Sequence, residues 1–227
     1  MLGVLMAEPK TGDICRVLVA DDHVIIRRGL RNLLKDHLRP CEVHEAGSCA
    51  ELLSQLPRRN HHLLLLDLQL GDGSAIDVVE RIRAEHPAVR VLVYSMGPER
   101  IYAQRLLRMG CAGYLDKQSS EEEVLRAVRT VLQGREYRSH ELEMRALEQP
   151  TGSLGAASPD AFVTLSDREV LVMEELLKGT GVKEIADRLH LQPTTVATYK
   201  ARLFDKLGVS NVLDLQRLVE AHRTRRA

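Results

Sequence analysis

Five short strand-like segments, four of them apolar runs leading to a polar residue, and each followed by a segment of helical periodicity, constrain this chain more than anything else in it. Residues 16–20 run into Asp21-Asp22, residues 41–46 read as a second strand, and residues 63–66 stop at Asp67. Residues 89–94 end at Ser95, and residues 112–115 are soon followed by Lys117. Between them, apolar positions recur at helical spacing, as at Ile26, Leu30, Leu33, Leu34 and Leu38 within 23–38. Further helices are predicted over 48–56, 76–85, 98–109 and 120–132. Parallel strands need crossover connections, so five strand–helix units predict a doubly wound α/β fold, a five-stranded parallel sheet with helices on both faces. In such sheets functional groups gather past the carboxyl ends of the strands. Here those residues are Asp21, Asp22, Asp67, Ser95 and Lys117.

Three aspartates at one sheet edge repel one another, so either their pKa values rise or a cation neutralises them. Hard oxygen ligands of this kind favour Mg2+. A hydroxyl (Ser95) and an ammonium (Lys117) beside them are suited to holding phosphoryl oxygens. The set can accept a phosphoryl group by positioning and charge neutralisation. Taken singly, each residue has a plainer reading. A lone aspartate after a strand is more often a turn residue or helix cap, a lone lysine is a solvated side chain, and Tyr114 is a packed strand aromatic.

In order and spacing these residues resemble the receiver domains of two-component response regulators, over about 16–134. The resemblance implies a flavodoxin-like fold in which Asp67 accepts a phosphoryl group from a sensor histidine kinase. Asp21, Asp22, Asp67 and the backbone carbonyl of Gln69 would hold Mg2+, while Ser95, Tyr114 and Lys117 would stabilise the phosphoryl group and switch the fold, Tyr114 repacking inward. The chain departs from the pattern at Gly71, where proline is usual, and at Ala75, where glycine is usual. An alanine forced to positive φ at position 75 would be strained. Gln118 follows Lys117 where many receivers carry proline, and a cis bond there would cost about 3 kcal/mol.

Residues 150–160 are small, polar and turn-rich, and 138–161 reads as a linker, with 140–149 able to extend as a charged helix. Beyond it, Ser166-x-x-Glu169 has the form of a capping box. Helices are predicted after it, at 182–189, from Pro193 to Leu207 with a stop at Gly208, and at 211–222 with Ser210 as cap. Residues 164–227 contain 11 Lys/Arg against 9 Asp/Glu, a surplus too small to establish nucleic-acid binding by charge. The pattern carries more. Leu165-Ser166-x-Arg168-Glu169, Lys183-Glu184-Ile185-Ala186-x-x-Leu189 and Thr195-Val196-x-x-Tyr199-Lys200-x-x-Leu203-x-x-Lys206-Leu207-Gly208 resemble the LuxR-type helix–turn–helix, and the whole chain resembles a NarL/FixJ-type response regulator. The resemblance implies a core of Ile185, Ala186, Leu189, Val196, Leu203 and Leu207. It also implies a reader helix presenting Ala197, Thr198, Lys200, Ala201 and Arg202 to double-stranded DNA. Lys200 and Arg202 suit phosphates or guanine edges, and Thr198 and the alanine methyls suit thymine methyls. Lys183, Thr194 and Thr195, near helix starts, are candidate phosphate contacts. For each basic residue alone, a solvated helix face is the plainer reading. His190 occupies a turn position where glycine is frequent, and Arg223, Arg225 and Arg226 form a basic tail.

The expected layout is an N-terminal tail over 1–14, a receiver over 15–137, the linker, and a DNA-binding domain over 162–227 with its helix–turn–helix at about 182–201. The expected activity is stoichiometric phosphoacceptance rather than multiple turnover, with an active homodimer. No apolar run approaches the roughly 18 residues a membrane span needs, and residues 1–10 make a poor signal peptide, so a cytoplasmic protein with no membrane partner is expected. Met6 is an alternative start. Cys15, Cys41, Cys49 and Cys111 lack Cys-x-x-Cys spacing and read as thiols in a reducing compartment. The absence of Trp disfavours stacking platforms for single strands. Rival functions are an aspartate-nucleophile phosphatase, a DNA-binding regulator indifferent to phosphate, and a ligand sensor of the autoinducer type. The fused helix–turn–helix disfavours the first, and the five strand-end positions disfavour the others.

Overall fold

The computed structural model describes residues 14–70, 75–97, 99–140, 142–144, 161–189 and 191–224. Gly71 to Ser74, most of the expected linker, His190, Arg225 and Arg226 lie outside the described residues. The chain divides into two compact units, Met1–Ser153 and Leu154–Ala227.

In the first unit the strands are β1 (Cys15–Ala20), β2 (Cys41–Ala46), β3 (Leu63–Leu66), β4 (Arg90–Ser95) and β5 (Gly113–Asp116). They pair in parallel in the order β2-β1-β3-β4-β5. The intervening helices are α1 (Val24–His37), α2 (Cys49–Gln55), α3 (Ala75–Glu85) and α4 (Glu99–Arg108), and α5 (Glu121–Leu132) closes the series. The central β3 is buried along its whole length, as the unbroken leucine run demands of a strand covered on both faces. Edge strand β2 is only partly buried, and its sequence mixes Glu42, His44 and Glu45 with apolar residues. One core cluster joins Val17, Val19, Leu63, Leu65 and Leu92 of the sheet to Leu30 and Leu34 of α1 and Val124, Val128 and Val131 of α5.

Local chemistry sets the helix starts. Ser48 and Ser120 accept hydrogen bonds from the backbone N–H of Glu51 and Glu123, capping α2 and α5. Ala75 is the first residue of α3, so the expected positive-φ strain does not arise. The Lys117–Gln118 bond is trans; among the described residues the one cis bond is Arg39–Pro40. His61 and His62 stand at the entrance to β3, where His62 Nδ1 accepts from the Arg16 N–H at 3.0 Å. All four thiols are free, and Cys15 and Cys41, register partners in β1 and β2, are only half-buried.

The second unit contains α6 (Asp167–Leu177), α7 (Val182–Arg188), α8 (Pro193–Leu207) and α9 (Val212–Thr224). The capping box forms: Ser166 Oγ accepts from the Glu169 N–H, and Glu169 Oε2 accepts from the Ser166 N–H at 2.6 Å. α8 begins at Pro193 and ends at Gly208 in the left-handed region, φ 64°. The cap of α9 is Asn211 rather than Ser210: the Asp214 N–H donates to Asn211 Oδ1 at 2.9 Å. The chain enters that helix one residue later than expected, which puts Asn211 three residues before the amide to be satisfied. Phe162, Val170, Met173, Ile185, Val196 and Leu203 build the core. Leu189 is only half-buried, because it lies just past the end of the short α7.

Candidate functional site

The hydrogen-bond ladder of the sheet runs one residue past the strands and thereby fixes the acidic cluster. The Asp21 N–H donates to Ala46 O, the Asp67 N–H to Ala20 O, and the Lys117 N–H to Ser95 O, at 2.8–3.1 Å. Oxygens of Asp21, Asp22 and Asp67 and a ring nitrogen of His23 consequently lie within 4.8 Å of one another. Asp21 and Asp67 are 1% and 2% exposed, whereas Asp22 faces solvent. Lys117 Nζ lies 2.7 Å from both Asp67 Oδ2 and Asp21 Oδ2, donating a hydrogen bond to the former. Burial works against the lysine's charge, but the attraction of the two carboxylates outweighs it and raises the pKa above the ordinary lysine value.

One ammonium does not complete the site. Asp67 Oδ1 and Ser95 Oγ are buried with no hydrogen-bond partner, a costly arrangement unless a ligand supplies the contacts. Converging hard oxygens of this sort match what Mg2+ requires, so the acidic pocket could bind a metal ion. Asp67 Oδ1 is thus the oxygen that Lys117 does not hold.

Next to Ser95 the chain turns tightly. The Tyr114 hydroxyl donates to Gly97 O at 2.6 Å, and its ring stacks on Tyr102 with centroids 6.5 Å apart. A Cβ at position 97 would come within 2.7 Å of the Tyr102 ring, so glycine is needed for this close approach. Tyr114 is fully buried. The inward position expected only on activation is therefore already occupied, because the Gly97 carbonyl offers its hydroxyl a partner inside. At the start of α4, Glu99 Oε2 accepts from Ser139 Oγ at 2.8 Å, which ties the segment after α5 to this end of the sheet.

In the second unit, α8 turns Ala197, Thr198, Ala201 and Arg202 to solvent. Thr194, Thr195, Thr198, Tyr199 and Arg202 line a shallow hollow of about 300 Å³. Lys183 and Thr194 are exposed and Thr195 is half-buried. Lys200 is half-buried as well, its ammonium 5.3 Å from the centroid of the Phe204 ring. Lys206 is exposed but engaged: Nζ donates to Glu169 Oε2 at 2.7 Å and to Thr164 O at 3.0 Å, joining α8 to the capping box.

Two family models match the chain, "Response regulator receiver domain" over 17–129 and "Bacterial regulatory proteins, luxR family" over 163–219. The "Response regulator GacA" of Pseudomonas protegens is 30% identical, the alignment covering 91% of this chain and 96% of that protein. The chain is a response regulator. It belongs to the NarL/FixJ type, whose receiver is fused to a LuxR-type DNA-binding domain that regulates transcription. Among solved structures, RcsB of Salmonella enterica serovar Typhimurium bound to promoter P1flhDC with phosphomimetic BeF3- has TM-score 0.75 and 25% identity. That match covers 91% of this chain and 98% of that one. A structure of two RcsB dimers bound to two parallel DNAs has TM-score 0.72 and 26% identity, covering 91% and 99%.

In the regulator, the strand-end residues Asp21, Asp22, Asp67 and Lys117 come together, and Ser95 is joined to Lys117 through its backbone carbonyl. Gln69, two residues past Asp67, is exposed between the buried Leu68 and Leu70. Sequence reasoning passed over His23, whose ring nitrogen is 2.6 Å from Asp22 and 3.2 Å from Asp21. Its position directly after the acidic pair was the available signal. It also passed over Gly97 and Tyr102, which no local pattern marks because their partner is Tyr114, on the neighbouring strand.

Proposed function

We propose that Asp67 accepts a phosphoryl group from a sensor histidine kinase and that this modification controls binding to promoter DNA. The observation carrying the proposal is the buried Asp67, one oxygen held by Lys117 and the other unpartnered. Asp67 Oδ1 attacks phosphorus as the bond from phosphorus to the kinase's histidine nitrogen breaks. Asp21, Asp22, Asp67 and the Gln69 carbonyl would hold Mg2+, which when bound would offset the gathered negative charge. Lys117 and Ser95 then hold the phosphoryl oxygens by charge and hydrogen bonding. Added charge at Asp67 biases a two-state equilibrium through Ser95, Tyr114 and Gly97.

The regulator reads DNA with Ala197, Thr198, Lys200, Ala201 and Arg202, while Lys183, Thr194 and Thr195 hold phosphates. It works as a homodimer on paired half-sites in the bacterial cytoplasm, where DNA and kinase are both accessible. The exposure of Thr198 and Arg202 on α8 supports this assignment. The expected modules are a receiver over 15–137 and a DNA-binding domain over 162–227. No helix among the described residues is long and apolar enough to cross a membrane.

The test treats the full chain with acetyl phosphate and Mg2+, measures phosphoryl incorporation by intact mass, and follows retardation of promoter DNA. One phosphoryl group per chain and tighter binding are expected, with both lost in Asp67→Ala. Wild-type chain that binds promoter DNA equally with and without phosphodonor, or an Asp67→Ala chain that binds it as tightly as the phosphorylated wild type, would overturn the proposal.

A further inference from the structure

A second charged site lies at the opposite end of the same sheet. At the amino ends of β4 and β5 there is a cleft of about 620 Å³, lined by Arg83, Arg90, Arg135, Glu136, Cys111 and the small residues between them. Arg83 comes from the last turn of α3, Arg90 opens β4, and Arg135 follows α5. None of the three guanidiniums has a carboxylate partner among the described residues. The one acidic lining residue, Glu136, is engaged by Arg138 at 3.1 Å.

Two of these arginines are seated by glycines. Gly110 and Gly134, at φ +89° and +84°, leave open the space beside the ends of α4 and α5. A Cβ there would meet Arg83 Nε at 2.9 Å and the Arg90 guanidinium at 3.1 Å. The nearby helix carboxyl ends carry only partial negative charge, enough to favour a cation but not to neutralise three. Cys111 contributes no chemistry to the cleft, since burial pushes its thiol up to about 12. What remains is a cleft lined by three planar, permanently charged donors, of which Arg135 already donates one hydrogen bond to Gln133 Oε1, with capacity left over.

The geometry points to this cleft as a binding site for a small multivalent oxyanion, distinct from the phosphoacceptor. Guanidiniums pair with oxyanions through two parallel N–H···O bonds, and three of them around one cleft suit an anion with several oxygens. A diphosphate and a polycarboxylate share that chemistry.

The test titrates the metal-free full chain by calorimetry, with pyrophosphate in one arm and citrate in the other. In the absence of metal the acidic cluster around Asp67 repels both probes. Arg83 and Arg135 are exposed, so Arg83→Ala/Arg135→Ala is expected to leave the fold intact, checked by circular dichroism. Saturable binding is expected, weakened about tenfold or more in that variant and unchanged in Lys200→Ala/Arg202→Ala. Stronger binding in one arm identifies phosphate or carboxylate as the ligand's group. No saturable heat in either arm, or binding that the Arg83/Arg135 variant retains, would overturn the inference. So would binding abolished only by the Lys200/Arg202 variant. Phosphorylation of Asp67 is measured separately and does not depend on this result.

Discussion

The two halves of the regulator place their working residues in opposite ways. The acidic site draws Asp21, Asp67, Ser95 and Lys117 from four strand ends and buries them, so its charges take part in holding the fold. The residues proposed to read DNA sit on one face of α8, whose stability comes from the other face through Val196, Leu203 and Leu207. Function and folding are thus coupled in the first half and nearly separable in the second.

The largest expected effect tests that coupling. Lys117→Ala would leave two buried carboxylates without their ammonium, and breaking a buried pair in this way costs about 3–5 kcal/mol. Urea unfolding at pH 7 should show that loss, and added Mg2+ should restore part of it if the carboxylates are metal ligands. A Lys117→Ala chain as stable as wild type without metal would break the comparison.

The pH dependence of the receiver comes next. Burial, reinforced by neighbouring His44 and Arg59, lowers the pKa of His61 to about 4, and its Nδ1 has no partner. The unfolded chain takes up a proton near pH 6.5 and the folded chain does not until about pH 4. Stability is therefore complete above pH 6.5 and falls as the pH drops towards 4, by up to about 3 kcal/mol. His61→Asn should flatten that part of the profile in pH-dependent melts.

In the second unit, Glu169 is held below the usual carboxylate range. Its burial opposes the shift, but Lys206 and the Ser166 amide and hydroxyl outweigh it. That stability persists above the range and is lost only as the pH falls through the lowered value. Lys206→Ala should cost about 1–2 kcal/mol in thermal unfolding, because the lysine is partly exposed while Glu169 is left buried with one partner fewer. The smallest effect on folding is expected for Arg202→Ala, within about 0.5 kcal/mol. The same change should weaken promoter binding by about 1–3 kcal/mol and lower its salt dependence, read by titrating DNA at several salt concentrations. A large loss of fold stability in Arg202→Ala would erase the contrast between the halves.

Much of this was legible in the chain itself. The strand readings gave β2 and β3 to the residue and the other strands within a residue at each end; for β3 the reason is plain, since a strand buried on both faces leaves an unbroken apolar signature. The capping box of α6 and the limits of α8 were equally plain, since Ser166, Glu169, Pro193 and Gly208 act over one helical turn. Less legible was whatever depended on distant neighbours. His23 joins the acidic cluster only through the ladder beyond β1, and Tyr114 points inward only because Gly97 lies within reach. Lys206 read as part of a DNA-binding pattern, yet it holds the capping box because α8 packs against α6.

By itself, then, the order of residues determined where strands and helices begin and that five polar groups would stand at strand ends, since backbone hydrogen bonding and helix caps are short-range. Only the tertiary structure decided which carboxylate shares its lysine, which tyrosine is buried and where three arginines face one cleft. Electrostatics and packing act between groups close in space, and their separation along the chain does not enter.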